Sequence, residues 1–75
     1  MKDVERKRLI ARGFTPHQAR VLRLVISGYA NKEIASEMKL SEHGVKFHLT
    51  RIYKKTKFKN RSRLISGLSR WGIRG

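Results

Sequence analysis

The chain has no cysteine, a single proline and only five acidic residues among its 75 positions. Each shortage excludes something. Without cysteine there is neither a disulfide nor a thiolate metal centre, which suits a reducing compartment and gives the expectation of a soluble cytoplasmic protein. With one proline and no low-complexity tract, little of the chain is linker. No apolar run approaches the roughly 18 residues that cross a bilayer, and the charged start MKDVERKRLIARG lacks the apolar middle of a signal peptide. So few carboxylates leave little material for general-acid chemistry. No Ser/His/acid, paired-carboxylate or phosphate-loop pattern occurs either, so the sequence does not read as an enzyme. His17, His43 and His48 lack ligand spacing, and nothing indicates a metal, a cofactor or a small-molecule ligand.

What is abundant is positive charge. Nineteen lysines and arginines give a net charge of +14 and a pI near 11.5. All five acids (Asp3, Glu5, Glu33, Glu37 and Glu42) precede position 43, so from His43 onward every ionised side chain is basic. Charge of this size and asymmetry implies a polyanionic partner, with nucleic acid the first class to test and a membrane surface the least favoured.

Apolar residues recur at helical spacing almost throughout, which predicts an all-α chain. Thr15 is a good N-cap, Pro16 suits the first helical position and Gln18 can complete a capping box. The helix they open carries Ala19, Leu22, Val25 and Ile26 on one stripe, and Gly28 can end it. A shorter second helix is expected from Asn31 as its cap, with Ile34, Ala35 and Met38 inward. Ser41 then caps a third over 42–57, and Asn60 a fourth over about 61–71 with Leu64, Ile65, Leu68 and Trp71 as its apolar face. Residues 3–12 read either as a further helix, packing through Val4, the Arg8 stem and Leu9 or Ile10, or as a solvated leader. The expected organisation is a basic leader or short helix over 1–13 and one domain over 14–75.

The third helix has an unusual outer side. At roughly 100° per residue, Val45, Leu49, Ile52 and Thr56 share the core stripe, flanked by Tyr53 and His48. Lys46, Thr50, Lys54 and Lys57 form the next row, while Phe47, Arg51 and Lys55 cover the back. A short capped helix, a tight turn and then such a helix form a helix-turn-helix, here about 31–50. The second helix of this motif enters the DNA major groove, where lysine can donate to guanine, threonine can bond either way and an aromatic edge can meet a thymine methyl.

From Phe14 to about Leu68 the chain resembles the LuxR/GerE-type DNA-binding domain of bacterial transcription regulators. The residues that carry the likeness are Thr15-Pro16, the VLRLV run, Gly28, NKEIA, Leu40-Ser41-Glu42, Val45-Lys46, His48, Ile52-Tyr53, Lys55 and Asn60-Arg61. The resemblance implies a four-helix domain that binds double-stranded DNA. It implies base contacts from Lys46, Phe47 and Thr50, and phosphate contacts from Asn31, Lys32, Ser41, His43, Arg51, Lys54 and Lys55. It also implies a homodimer through the fourth helix, for which Ile65, Leu68 and Trp71 are the candidate contacts and Gly67 the point of close approach. RNA polymerase is a further partner class; the chain reads either as the stand-alone form of the family, which Met1 favours, or as a fragment of a larger regulator. Non-specific nucleic-acid binding, or pairing with another regulator through the fourth helix, are the competing readings.

Several positions depart from the family pattern. Gly44 replaces a usual Thr or Ser, Thr56 a core Leu, and Arg63 a common acid. Lys39 and Lys57 stand at helix ends where the family prefers glycine. In a left-handed conformation each would cost about 1 kcal/mol, which phosphate attraction could offset.

Overall fold

The caps and the apolar spacing organise five helices, the four expected of the domain and the further N-terminal helix that residues 3–12 allowed. The structure, a computed structural model, describes residues 3–73; Met1, Lys2, Arg74 and Gly75 of the expected leader and tail lie outside the described residues. The helices are α1 (Asp3–Ala11), α2 (Pro16–Ile26), α3 (Asn31–Met38), α4 (Glu42–Thr56) and α5 (Arg61–Arg70). The helix-turn-helix is α3–α4, and the fourth helix expected from the sequence is α5. Among the described residues there is no strand.

Local chemistry sets most helix ends. The Thr15 hydroxyl accepts from the Gln18 amide at 3.1 Å while the Gln18 side chain accepts from the Thr15 amide at 3.0 Å. Together they satisfy two donors that a helix start leaves open. Ser41 Oγ accepts from the Gly44 amide at 3.0 Å, and Asn60 Oδ1 from the Arg63 amide at 2.9 Å. At α3 the expectation is corrected: Ala30, not Asn31, occupies the N-cap position. The Ala30 amide donates to Glu33 Oε1 at 2.8 Å, the reciprocal half of a capping box, while alanine supplies no side-chain cap.

The core draws on every helix: Leu9, Phe14, Ala19, Val21, Leu22, Val25, Ile34, Ala35, Val45, Leu49, Ile52, Leu64, Leu68 and Ile73 are buried. Helix α2 lies centrally, packed by α1, α3, α4 and α5, while α3 lies along α4. Thus the surface of α4 that faces away from α2 and α3 is left to solvent.

Two parts pack otherwise than expected. Among the described side chains of α1 only Leu9 is fully enclosed, whereas Val4 is 59% exposed and Ile10 is exposed as well. The helix is fastened by polar contacts instead: Glu5 lies 3.9 Å from Arg23, Arg8 Nη1 donates to the Gly72 carbonyl at 3.4 Å, and Arg12 covers the Trp71 ring at 4.1 Å. In α5, Leu68 is wholly buried in the chain's own core, so it offers no surface to a partner. Gly67 likewise does not form an open seam, because the Phe58 ring sits directly where a side chain would project. Phe58 and Phe14 both lean on Trp71, at 5.8 and 6.4 Å between ring centres. Trp71 is thereby committed mainly to its own fold.

Candidate nucleic-acid interface

Helix α4 is held by Val45, Leu49 and Ile52, all buried, with His48, Tyr53 and Thr56 at the boundary. Because side chains of a helix repeat every 3.6 residues, that attachment turns Lys46, Phe47, Thr50, Arg51 and Lys54 outward, and all five are exposed. Phe47 is 58% exposed. Its ring is braced rather than loose: the Arg51 guanidinium lies 5.5 Å from its centre and His48 meets it edge-on at 6.0 Å. His48 in turn stacks on His17 of α2 at 6.0 Å.

The hydroxyl of Thr50 donates to the Lys46 carbonyl at 2.9 Å. With its proton so used, the exposed Thr50 oxygen keeps acceptor capacity, which complements a base amino group. Ser41 uses an acceptor for its cap and keeps a hydroxyl proton to give to a phosphate. His43 is exposed in the first turn of α4, and the helix start there carries amides suited to an anion. Gly44 has ordinary contact space where a Cβ would fall, 3.5 Å from Ser41 Oγ. A Cβ is therefore tolerated at this position, and contact at that carbon does not force the glycine.

Two expected phosphate ligands have other engagements. Lys55 points along the flank of α4, its ammonium 5.6 Å from the Phe14 ring, away from the Lys46–Thr50–Lys54 row. Asn31 is half-buried and its Oδ1 accepts from Arg61 Nη1 at 2.7 Å. Its amide NH₂ stays available as a donor, next to the exposed Lys32. The second nitrogen of Arg61 donates to the Tyr29 carbonyl at 2.6 Å, so this one side chain joins α5 to the start of α3. Nothing in the sequence marks that role beyond the place of Arg61 in a motif, because its partners lie some thirty residues away along the chain.

The basic surface continues beyond α4. A shallow groove of about 650 Å³ is lined in part by Arg6, His17, Arg20 and Arg23. No group of three or more candidate metal ligands occurs among the described residues. No described helix is long and apolar enough to cross a membrane.

Comparison with known proteins agrees with this geometry. Residues 12–68 match the GerE family, described as bacterial regulatory proteins of the luxR family. The probable transcriptional regulator ycf29 of Cyanophora paradoxa is 40% identical over 52 residues, covering 69% of this chain and 25% of that protein. The response regulator Rre1 of a Synechocystis species is 40% identical over 52 residues, covering 69% of this chain and 22% of its own. A putative HTH-type transcriptional regulator of Mycobacterium tuberculosis, Rv0890c, is 41% identical over 71 residues, covering 91% of this chain and 8% of its own. The chain thus spans a quarter or less of these relatives. No solved structure matches it closely enough for comparison. With an all-helical fold, an α3–turn–α4 pair bearing an exposed basic face, and a family match over 12–68, the chain belongs to the luxR (GerE) family of helix-turn-helix DNA-binding regulatory proteins.

Proposed function

We propose that the protein is a sequence-specific transcription regulator that places α4 in the major groove of double-stranded DNA. In this reading Lys46, Phe47 and Thr50 meet base edges. Lys32, the Asn31 amide, Ser41, His43, Arg51 and Lys54 position the domain on phosphates, and Lys55 does so only if it leaves Phe14. The observation that carries the reading is the outward Phe47 between Lys46 and Arg51. A non-specific polyanion binder needs cations alone, whereas a braced aromatic in a reading position is suited to discriminating a thymine methyl.

The working unit in this proposal is a homodimer joined through α5 on a near-palindromic site, with RNA polymerase as the downstream partner. Of the three seam residues expected, Ile65 remains partly exposed, Trp71 is largely engaged within its own chain, and Leu68 is withdrawn. The outer side of α5 otherwise carries Ser62, Arg63, Ser66, Ser69 and Arg70. Pairing two such faces brings like charges together, so the dimer should be weak until DNA neutralises it.

Selection of bound sites from random duplexes tests the reading directly. Half-sites about 10 base pairs apart centre to centre, related by inversion, are expected. On the selected site Lys46→Ala should cost about 1–3 kcal/mol and narrow the gap between matched and scrambled duplexes. An unchanged ratio between those duplexes would remove Lys46 from the reading face, and a pool with no enriched sequence would favour non-specific binding.

A further inference from the structure

The outer side of α2 carries a pattern that binding through α4 leaves unused. Ala19, Val21, Leu22 and Val25 of this helix are buried. The helical period then brings Arg20, Arg23, Leu24 and Ser27, at steps of three and four residues, onto a separate face. Arg6 of α1 and Met38 at the end of α3 join them in lining the groove of about 650 Å³.

This groove combines two chemistries. Leu24, Tyr29 and Met38 are partly buried side chains packed against the core, and they give it an apolar portion. Arg6, Arg20 and Arg23 give it three guanidiniums, and no acid lines it among the described residues. The bonds these cations make within the chain are long. Arg20 Nη2 donates to the Glu37 carbonyl at 3.4 Å. Arg23 Nε is buried without a hydrogen-bond acceptor, Glu5 Oε1 lying 3.9 Å away. A buried N–H in that state favours an anionic occupant.

The apolar portion narrows the choice. Small ligands are enclosed over most of their surface in their sites, which so shallow a groove does not achieve. A second copy of this chain is a poor occupant, because two molecules of net charge +14 repel. The strongest competitor is the DNA backbone, since His17 borders the groove and stacks on His48 of α4 at 6.0 Å, so that the two surfaces adjoin. Phosphates use cations alone and would leave Leu24 and Met38 uncovered. A protein segment with both carboxylates and apolar side chains uses everything the groove offers, and arginine, tyrosine and methionine are residues that protein interfaces favour.

We infer that the groove between α1, α2 and the end of α3 docks an acidic segment of a partner protein. Its carboxylates meet Arg6, Arg20 and Arg23, and its apolar side chains rest on Leu24 and Met38. Such docking is separate from DNA binding and needs no duplex.

The test uses the full chain and a short synthetic peptide rich in glutamate with leucines at helical spacing, beside the same peptide with serine for leucine. On adding the leucine peptide, the amide resonances of Arg20, Leu24, Ser27 and Met38 should shift while those of Lys46 and Thr50 stay. Arg6→Gln with Arg20→Gln should weaken its binding about five-fold or more. Lys7→Gln with Lys59→Gln removes two exposed charges that do not line the groove and should weaken it less than about two-fold. The serine peptide should bind more weakly than the leucine peptide. Equal binding of the two peptides, equal losses in the two double variants, or shifts centred on α4 would each overturn the inference. So would a groove variant that keeps its peptide affinity but binds duplex more weakly and with a shallower salt slope, which would make the groove a DNA surface. A protein that binds the peptide as expected but no duplex would keep this site and lose the DNA reading.

Discussion

At the scale of single residues, what a side chain does is legible wherever its neighbours are also its neighbours in sequence. The outward direction of Phe47, the Thr15–Gln18 box and the left-handed Gly28 follow from the helical period and from backbone sterics, which act over a few residues. The left-handed Lys39 and Lys57 run against those sterics and are indicated only by the family's glycines at these helix ends. Arg61 is not legible in this way, because its two acceptors come from the loop before α3 and from Asn31. Both bonds are short and partly buried, and a planar fork makes them from one group. Arg61→Ala is therefore expected to lower stability by about 1–3 kcal/mol. Arg61→Lys should recover less than half of the loss, since a single ammonium cannot reproduce the fork. Thermal melts of the three proteins check this, and full recovery by lysine would reduce the clamp to simple charge.

At the scale of helices, the capped starts of α2, α4 and α5 are readable from sequence. The face each helix presents is readable only when its apolar residues form a stripe. Helix α1 has no such stripe: among its described side chains Leu9 alone is fully enclosed, and polar ties to α2 and to the chain beyond α5 do the rest. The seam expected around Gly67 fails for a related reason. A glycine's value depends on what lies over it, and here that is Phe58 from the same chain. Glycine to alanine inside a helix ordinarily gains up to about 1 kcal/mol. Gly67→Ala should reverse that sign and cost a net 1–2 kcal/mol or so, because the added methyl drives the Phe58 ring off its seat against Trp71. Combining it with Phe58→Ala should make the two effects strongly non-additive, as a double-mutant cycle would read. Additive losses would mean that Phe58 has room to move aside.

At the scale of the whole molecule, the uneven charge matters most. A net charge of +14 on 75 residues opposes both compactness and self-association in free solution, and an anionic duplex relieves both. Sedimentation at micromolar concentration should accordingly show monomer without DNA and two copies on a selected duplex. With about six phosphates neutralised per dimer, log affinity should fall against log salt with a slope near −5. A stable dimer in the absence of DNA would contradict this account of the cationic α5 face. The joining of the first helix to the end of the chain bears on a practical matter. Sequence likeness delimits the family unit at residues 12–68, yet Leu9 and Ile73, both fully enclosed, lie beyond those limits. A fragment trimmed to the recognised motif would lose a plug from each end of its interior. The physical module is wider than the inherited one, and any transplant of this domain should be cut outside both.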